Sequence, residues 1–151
     1  MKSGGYVSPD QLGVLIKETQ AVLNQRMDEV LRPLGLSVSQ YACLRNLHEE
    51  PGITGSELAR RTFVSRQSMN VLVQGLERQG LVERAPEPGP RRERGAMLTH
   101  AATEILARAD NAVSDVVGAM TEHLGQEQRN ELHALLSACR DALIVPMSGG
   151  G

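Results

Sequence analysis

The chain has 151 residues, 40% hydrophobic and 23% charged, with a formal net charge of -2. These proportions suit one compact globular domain and exclude wholesale disorder. No apolar run approaches the roughly 20 residues that cross a bilayer, and the first residues, Met1 to Tyr6, lack the apolar segment of a secretory signal.

Start and stop signals divide the chain from its N-terminus onward. Ser8-Pro9-Asp10-Gln11 combines an N-cap, a proline at the first helical position and a returning Gln, which together predict a capping box. Apolar residues follow at helical spacing from Leu12 through Leu15, Ile16, Leu23 and Met27 to Leu31, and Pro33 closes the helix. A second box, Ser37-Val38-Ser39-Gln40, with Leu36 and Tyr41 placed as a hydrophobic staple, opens a helix that runs to about Glu50 and stops at Pro51-Gly52. A third, Thr54-Gly55-Ser56-Glu57, starts a short helix through about Thr62, and Ser65 caps a fourth that ends at Gln79 before Gly80.

Beyond Gly80 the pattern changes. Leu81 to Ala85 and Gly95 to Leu98 predict two short strands, and Pro86-Glu87-Pro88-Gly89-Pro90 between them can only be loop. The pair forms a hairpin whose tip carries Arg91, Arg92 and Arg94. Thr99 caps a long helix striped by Ala102, Ile105, Leu106, Ala109, Val113, Val116, Val117 and Met120. Gly125 separates it from a last helix bearing Leu132, Leu135, Leu136, Cys139 and Leu143, closed by Pro146. Striped helices at both ends carry more apolar surface than one small domain covers, and a helical dimer interface is the economical explanation.

Function concentrates in the middle of the chain. From Arg60 to Arg94 eight arginines face four glutamates, a basic island in an acidic protein and a plausible footprint for an anionic partner; a solvated arginine-rich surface is the plain alternative. Residues 54–79 read as helix, tight turn, helix. At about 100° per residue, with Gln67 at zero, Met69, Leu72, Val73 and Leu76 gather on the far side, while Asn70, Gln74, Arg78 and Val71 lie within about 60° of zero. Amides and a guanidinium suit the donor and acceptor edges of bases in a major groove, and no carboxylate precedes Glu77 to repel phosphates. Arginines on a projecting hairpin can enter a minor groove or straddle phosphates.

At Leu36 to Arg45, Gly55 to Arg61, Val71 to Val82 and Leu98-Thr99, the chain resembles the MarR-type winged helix-turn-helix transcriptional regulators, over roughly residues 8–144. The resemblance implies a mainly α fold with a small β-hairpin wing. Within the single chain, 1–151, residues 8–34 and 100–144 would be dimerisation helices and 36–99 the winged helix-turn-helix lobe, with the helix-turn-helix at 54–79 and the wing at 81–99. It further implies repression, as a homodimer, through a pseudo-palindromic operator in double-stranded DNA, relieved by a small aromatic or phenolic ligand or an oxidant. The candidate DNA-binding residues are Thr54, Ser56, Ser65, Arg66, Gln67, Ser68, Asn70, Gln74, Arg91, Arg92 and Arg94. The chain departs from the family pattern at Gln74, where an acidic residue is common. Around Pro90 it has no Asp before the wing arginine, and Ala102 replaces a usual Gly.

No residue identifies what is sensed. Two cysteines, Cys43 and Cys139, are too few for a disulfide framework and fit a reducing cytoplasm; both fall on apolar stripes, which predicts buried structural thiols. His48, His100, His123 and His133 show no ligand spacing, so no metal or cofactor is expected, although a site assembled in the fold around His48 with Glu49 and Glu50, or His123 with Glu122, stays open. Without a nucleotide-binding Gly-rich loop, a Gly-x-Ser-x-Gly elbow or a His-Glu-x-x-His motif, no enzyme is expected. The competing readings are a thiol- or metal-responsive regulator and a winged-helix protein-interaction module without DNA binding.

Overall fold

A computed structural model describes residues 5–84 and 95–144. Their order is α1 (Pro9–Leu31), a 3-10 turn (Arg32–Leu34), α2 (Val38–Glu49), α3 (Gly55–Thr62), α4 (Arg66–Arg78), β1 (Val82–Arg84), β2 (Ala96–Leu98), α5 (His100–Met120) and α6 (Gln126–Leu143). Side chains next to the first turns set most of the boundaries. The Ser8 hydroxyl accepts from the Gln11 N–H and the Gln11 side chain accepts from the Ser8 N–H, at 3.2 and 2.9 Å; Ser37 and Gln40 repeat the exchange at 3.1 and 2.9 Å. The third box forms only by half. Thr54 accepts from the Glu57 N–H at 3.2 Å, but the Glu57 carboxylate turns to Arg60 and Arg61, because two cations one turn away outcompete a single backbone donor.

α4 stops as its sequence requires. Gly80 takes φ +76°, and the Leu81 N–H reaches the Leu76 carbonyl at 2.9 Å, a left-handed C-terminal cap that turns the chain into β1. The strands pair antiparallel, with Val82 opposite Leu98, Glu83 opposite Met97 and Arg84 opposite Ala96. The helix-linking segment before α3 lies along the other edge of β2: the Gly52 N–H donates to the Ala96 carbonyl at 3.1 Å and the Ala96 N–H to the Ile53 carbonyl at 3.4 Å. Thr99 caps α5 by accepting from the Ala102 N–H at 3.2 Å, and its hydroxyl donates to the Gly80 carbonyl at 2.8 Å.

That three-way pairing depends on Gly95. A Cβ there would fall on the Gly52 carbonyl oxygen and lie 2.7 Å from the Gly52 carbonyl carbon, which is backbone and cannot turn aside. Gly95→Ala is expected to cost about 1–3 kcal/mol, the usual scale of overpacking. The measurement is a thermal melt, expected to fall by several degrees; an unchanged midpoint would mean that the strand and the loop are not held this close.

The backbone divides into two compact units, 1–116 and 117–151. In the first, Leu31, Leu44, Leu47, Leu58, Met69 and Leu76 are almost wholly buried in an aliphatic core, and α2 runs through it, touching α1, α3, α4 and β2. The predicted stripe of α5 is the one that buries Ala102, Leu106, Ala109 and Val113. The second unit has no such core: no residue of α6 is buried. Cys139, expected to be a buried thiol, is therefore exposed. None of the described residues covers the apolar stripe it belongs to.

Candidate nucleic-acid interface

α4 has the two faces its periodicity predicts. Met69, Val73 and Leu76 are buried, whereas Gln67, Asn70, Val71, Gln74 and Arg78 are exposed. Its start is fixed by Ser65, whose hydroxyl accepts from the Ser68 N–H at 3.0 Å and donates to the Ser68 hydroxyl at 2.9 Å. α3 packs against α4 so that a Cβ at Gly55 would lie 3.5 Å from the Asn70 amide oxygen. The first turn of α3, with Thr54 and Ser56, therefore stands beside the exposed edge of α4. Of the eleven candidate residues, Ser65, Arg66, Gln67, Ser68, Asn70 and Gln74 are exposed on or next to α4 and Thr54 and Ser56 are half-buried beside them. Arg91, Arg92 and Arg94 lie outside the described residues.

Thr54 and Ser65 also cap their helices, so their hydroxyls are already hydrogen-bonded before any partner arrives. Helix N-termini present backbone N–H groups to anions, so both starts remain suited to phosphate.

The charge of this lobe is more local than its arginine count suggests. Arg60 and Arg61 are tied to Glu57, and Arg61 also reaches Glu50 at 2.6 Å. Glu77, the one carboxylate of α4, is held by Arg84 of β1 at 3.2 Å. These pairs neutralise part of the basic island on one flank and remove the negative charge nearest the exposed amides. Among the described residues of α4, no carboxylate on the face around Gln67 and Arg78 is left uncompensated.

One residue stands out at the turn between α3 and α4. Phe63 adopts φ +58°, a left-handed conformation rare for a bulky side chain, and its ring is 71% exposed. Its N–H satisfies the last carbonyls of α3, those of Ala59 and Arg60. No sequence signal marks this, because helices of this kind usually end on Gly.

Behind the helix-turn-helix, three side chains join α2 to α5. The Tyr41 hydroxyl donates to Asp110 at 2.6 Å, and Arg45 meets both oxygens of the same carboxylate at 3.2 Å. Burial, and then the bond to Asp110, push the Tyr41 hydroxyl up to about 12, so it remains a donor at every physiological pH. This cross-link spans sequence separations of 69 and 65, beyond any local reading.

Cys43 is buried against the Met69 sulfur at 4.0 Å, and burial pushes its thiol up to about 12, which disfavours the reactive thiolate. His100 lies 3.1 Å from Glu104 and His123 3.8 Å from Glu122, all exposed, and no group of three metal-ligating side chains gathers among the described residues. No helix among them is long and apolar enough to cross a membrane.

The chain is similar to known proteins along most of its length. The model of the MarR family matches residues 34–93. The chain is 32% identical over 132 residues to the HTH-type transcriptional repressor Rv2887 of Mycobacterium tuberculosis, covering 87% of this chain and 95% of that one. Two solved structures of that MarR family protein superpose on it: a complex with DNA (TM-score 0.70, 30% identity, 88% of this chain and 98% of that chain) and a complex with salicylic acid (0.69, 32%, 88% and 97%). With the helix-turn-helix, the wing and this degree of identity in agreement along nearly the whole chain, the protein belongs to the MarR family.

Proposed function

We propose that the protein is a cytoplasmic transcriptional repressor that binds a pseudo-palindromic operator as a homodimer and is released by a small aromatic ligand. The observation that carries it is the exposed face of α4: Gln67, Asn70 and Gln74 beside Arg78, with Glu77 neutralised by Arg84. Those amides can pair bidentately with adenine, and the guanidinium with guanine or phosphate. Residues 8–34 and 100–144 form the dimer and 36–99 the DNA-binding lobe. α4 lies in a major groove, and Arg91, Arg92 and Arg94 reach the flanking minor groove or phosphates. Thr54, Ser56, Ser65, Arg66 and Ser68 hold the backbone at the starts of α3 and α4. The related repressor solved with salicylic acid supports an aromatic carboxylate or phenol as the effector class. Nothing in this role calls for catalysis.

The test is fluorescence anisotropy with the DNA upstream of the protein's own gene against a scrambled duplex of equal length, at two salt concentrations. Preference for the upstream duplex that survives the higher salt is expected; equal binding to both would reject a sequence-reading regulator. Within that assay, Gln67→Ala or Asn70→Ala should relax discrimination by roughly 1–3 kcal/mol at one base pair. Arg92→Ala should instead weaken all duplexes alike and flatten the salt slope by about one phosphate contact. The wing assignment is wrong if Arg92→Ala leaves both affinity and slope intact.

A further inference from the structure

The fold leaves two residues on the outer side of α4 unexplained. Val71 is 61% exposed, although it sits at about 40° on the wheel that puts Gln67 at zero, Arg78 at about 20° and Gln74 at about 340°. It thus lies within the polar face, with the Arg78 guanidinium and the Gln67 and Gln74 amides on one side of it. A β-branched residue gains nothing in an exposed helix position, where it loses rotamer freedom and keeps its apolar surface in water. Gly75, one turn further on and next to it at about 80°, is the second. A glycine inside a helix costs about 1 kcal/mol relative to alanine. Space does not require it, since a Cβ there would meet only the Arg78 guanidinium, at an ordinary 3.9 Å. Neither residue serves the core, which α4 reaches through Met69, Val73 and Leu76.

We infer that Val71 and Gly75 form an apolar, side-chain-poor strip that reads the C5-methyl group of a thymine in each operator half-site. Thymine is the one base that presents a methyl group to the major groove, and apolar side chains are what recognise it there. The isopropyl group of Val71 packs on that methyl. Gly75 leaves the helix surface bare, so that α4 can settle close enough for a contact that falls off within an ångström. The surrounding amides and guanidinium then find their hydrogen-bonding edges in the same approach. This inference rests on the reading of α4 as the groove-facing helix.

The test begins with a duplex recovered by the protein from a random-sequence pool, in which each thymine is replaced in turn by deoxyuridine. That exchange deletes the methyl group and leaves every hydrogen-bonding edge unchanged. One thymine per half-site is expected to lose affinity by about fourfold, the effect of exposing roughly one buried methylene. Val71→Ala should bind the thymine duplex more weakly, no longer distinguish thymine from deoxyuridine there, and melt at the wild-type temperature. Gly75→Ala should weaken binding while its melting temperature holds or rises. Selective binding with no thymine sensitive to the exchange, or full thymine preference in Val71→Ala, would overturn the inference and leave the DNA-reading role standing. Failure to recover any preferred sequence would overturn both.

Discussion

Leu44→Ala is expected to destabilise the protein by about 2–5 kcal/mol, the range seen when a fully buried leucine is truncated in a core that cannot collapse around the gap. Leu44 is wholly buried on α2, the helix that touches α1, α3, α4 and β2. A cavity there has rigid walls on several sides. Cys43 and Leu47 are buried beside it on the same helix, so the void cannot be filled by a neighbouring side chain already packed elsewhere. The loss corresponds to a fall of roughly 10 °C in the melting midpoint for a unit of this size. Wild type and variant must be melted at equal protein concentration, since association stabilises the folded state by mass action. A drop of only a degree or two would show that α2 is not central to the core. Val71→Ala, on the exposed side of α4, is the matched control with no expected shift.

What the sequence made legible was what local chemistry decides. Ser8, Ser37, Ser65 and Thr99 declare helix starts through hydroxyls three residues from the N–H they bind, and Gly80 declares a helix end because few residues other than glycine sit at φ +76°. The faces of α4 followed from period alone. Interactions that only the fold brings together were not legible. Neither the Tyr41–Asp110–Arg45 cross-link, nor the pairing of Arg84 with Glu77, nor the approach of Gly95 to Gly52 leaves a mark at fixed spacing. The basic island was legible as a count of arginines, but not the pairing of Arg60 and Arg61 with Glu57 and Glu50 that shifts its centre towards α4. Cys139 shows a different limit: an apolar stripe says that a helix face will be covered, not whether its own chain or another covers it.

That last distinction sets the second large effect. α1 exposes Leu12, Leu15 and Ile16 along one side, and α6 exposes Leu132, Leu135, Leu136 and Leu143, although both helices have the apolar spacing of core elements. Apolar patches of this extent are rarely left bare in water, and a second copy of the chain offers the same surfaces in return. Leu136→Glu, at a residue 47% exposed within the single chain, should therefore leave the protomer folded while placing a carboxylate in an apolar interface. An unpaired buried charge costs several kcal/mol, enough to turn a dimer into monomers at micromolar concentration. Operator affinity should fall much further than any loss of a single side-chain contact predicts. Two linked recognition helices bind two half-sites with the second event made intramolecular, an advantage of about 10²–10⁴ that disappears on dissociation. Sedimentation velocity and anisotropy on the same samples make the check. A variant that sediments as a dimer and binds normally would place the interface elsewhere. A monomer that keeps full operator affinity would mean that each protomer reads its site alone, and the operator would need no two-fold symmetry.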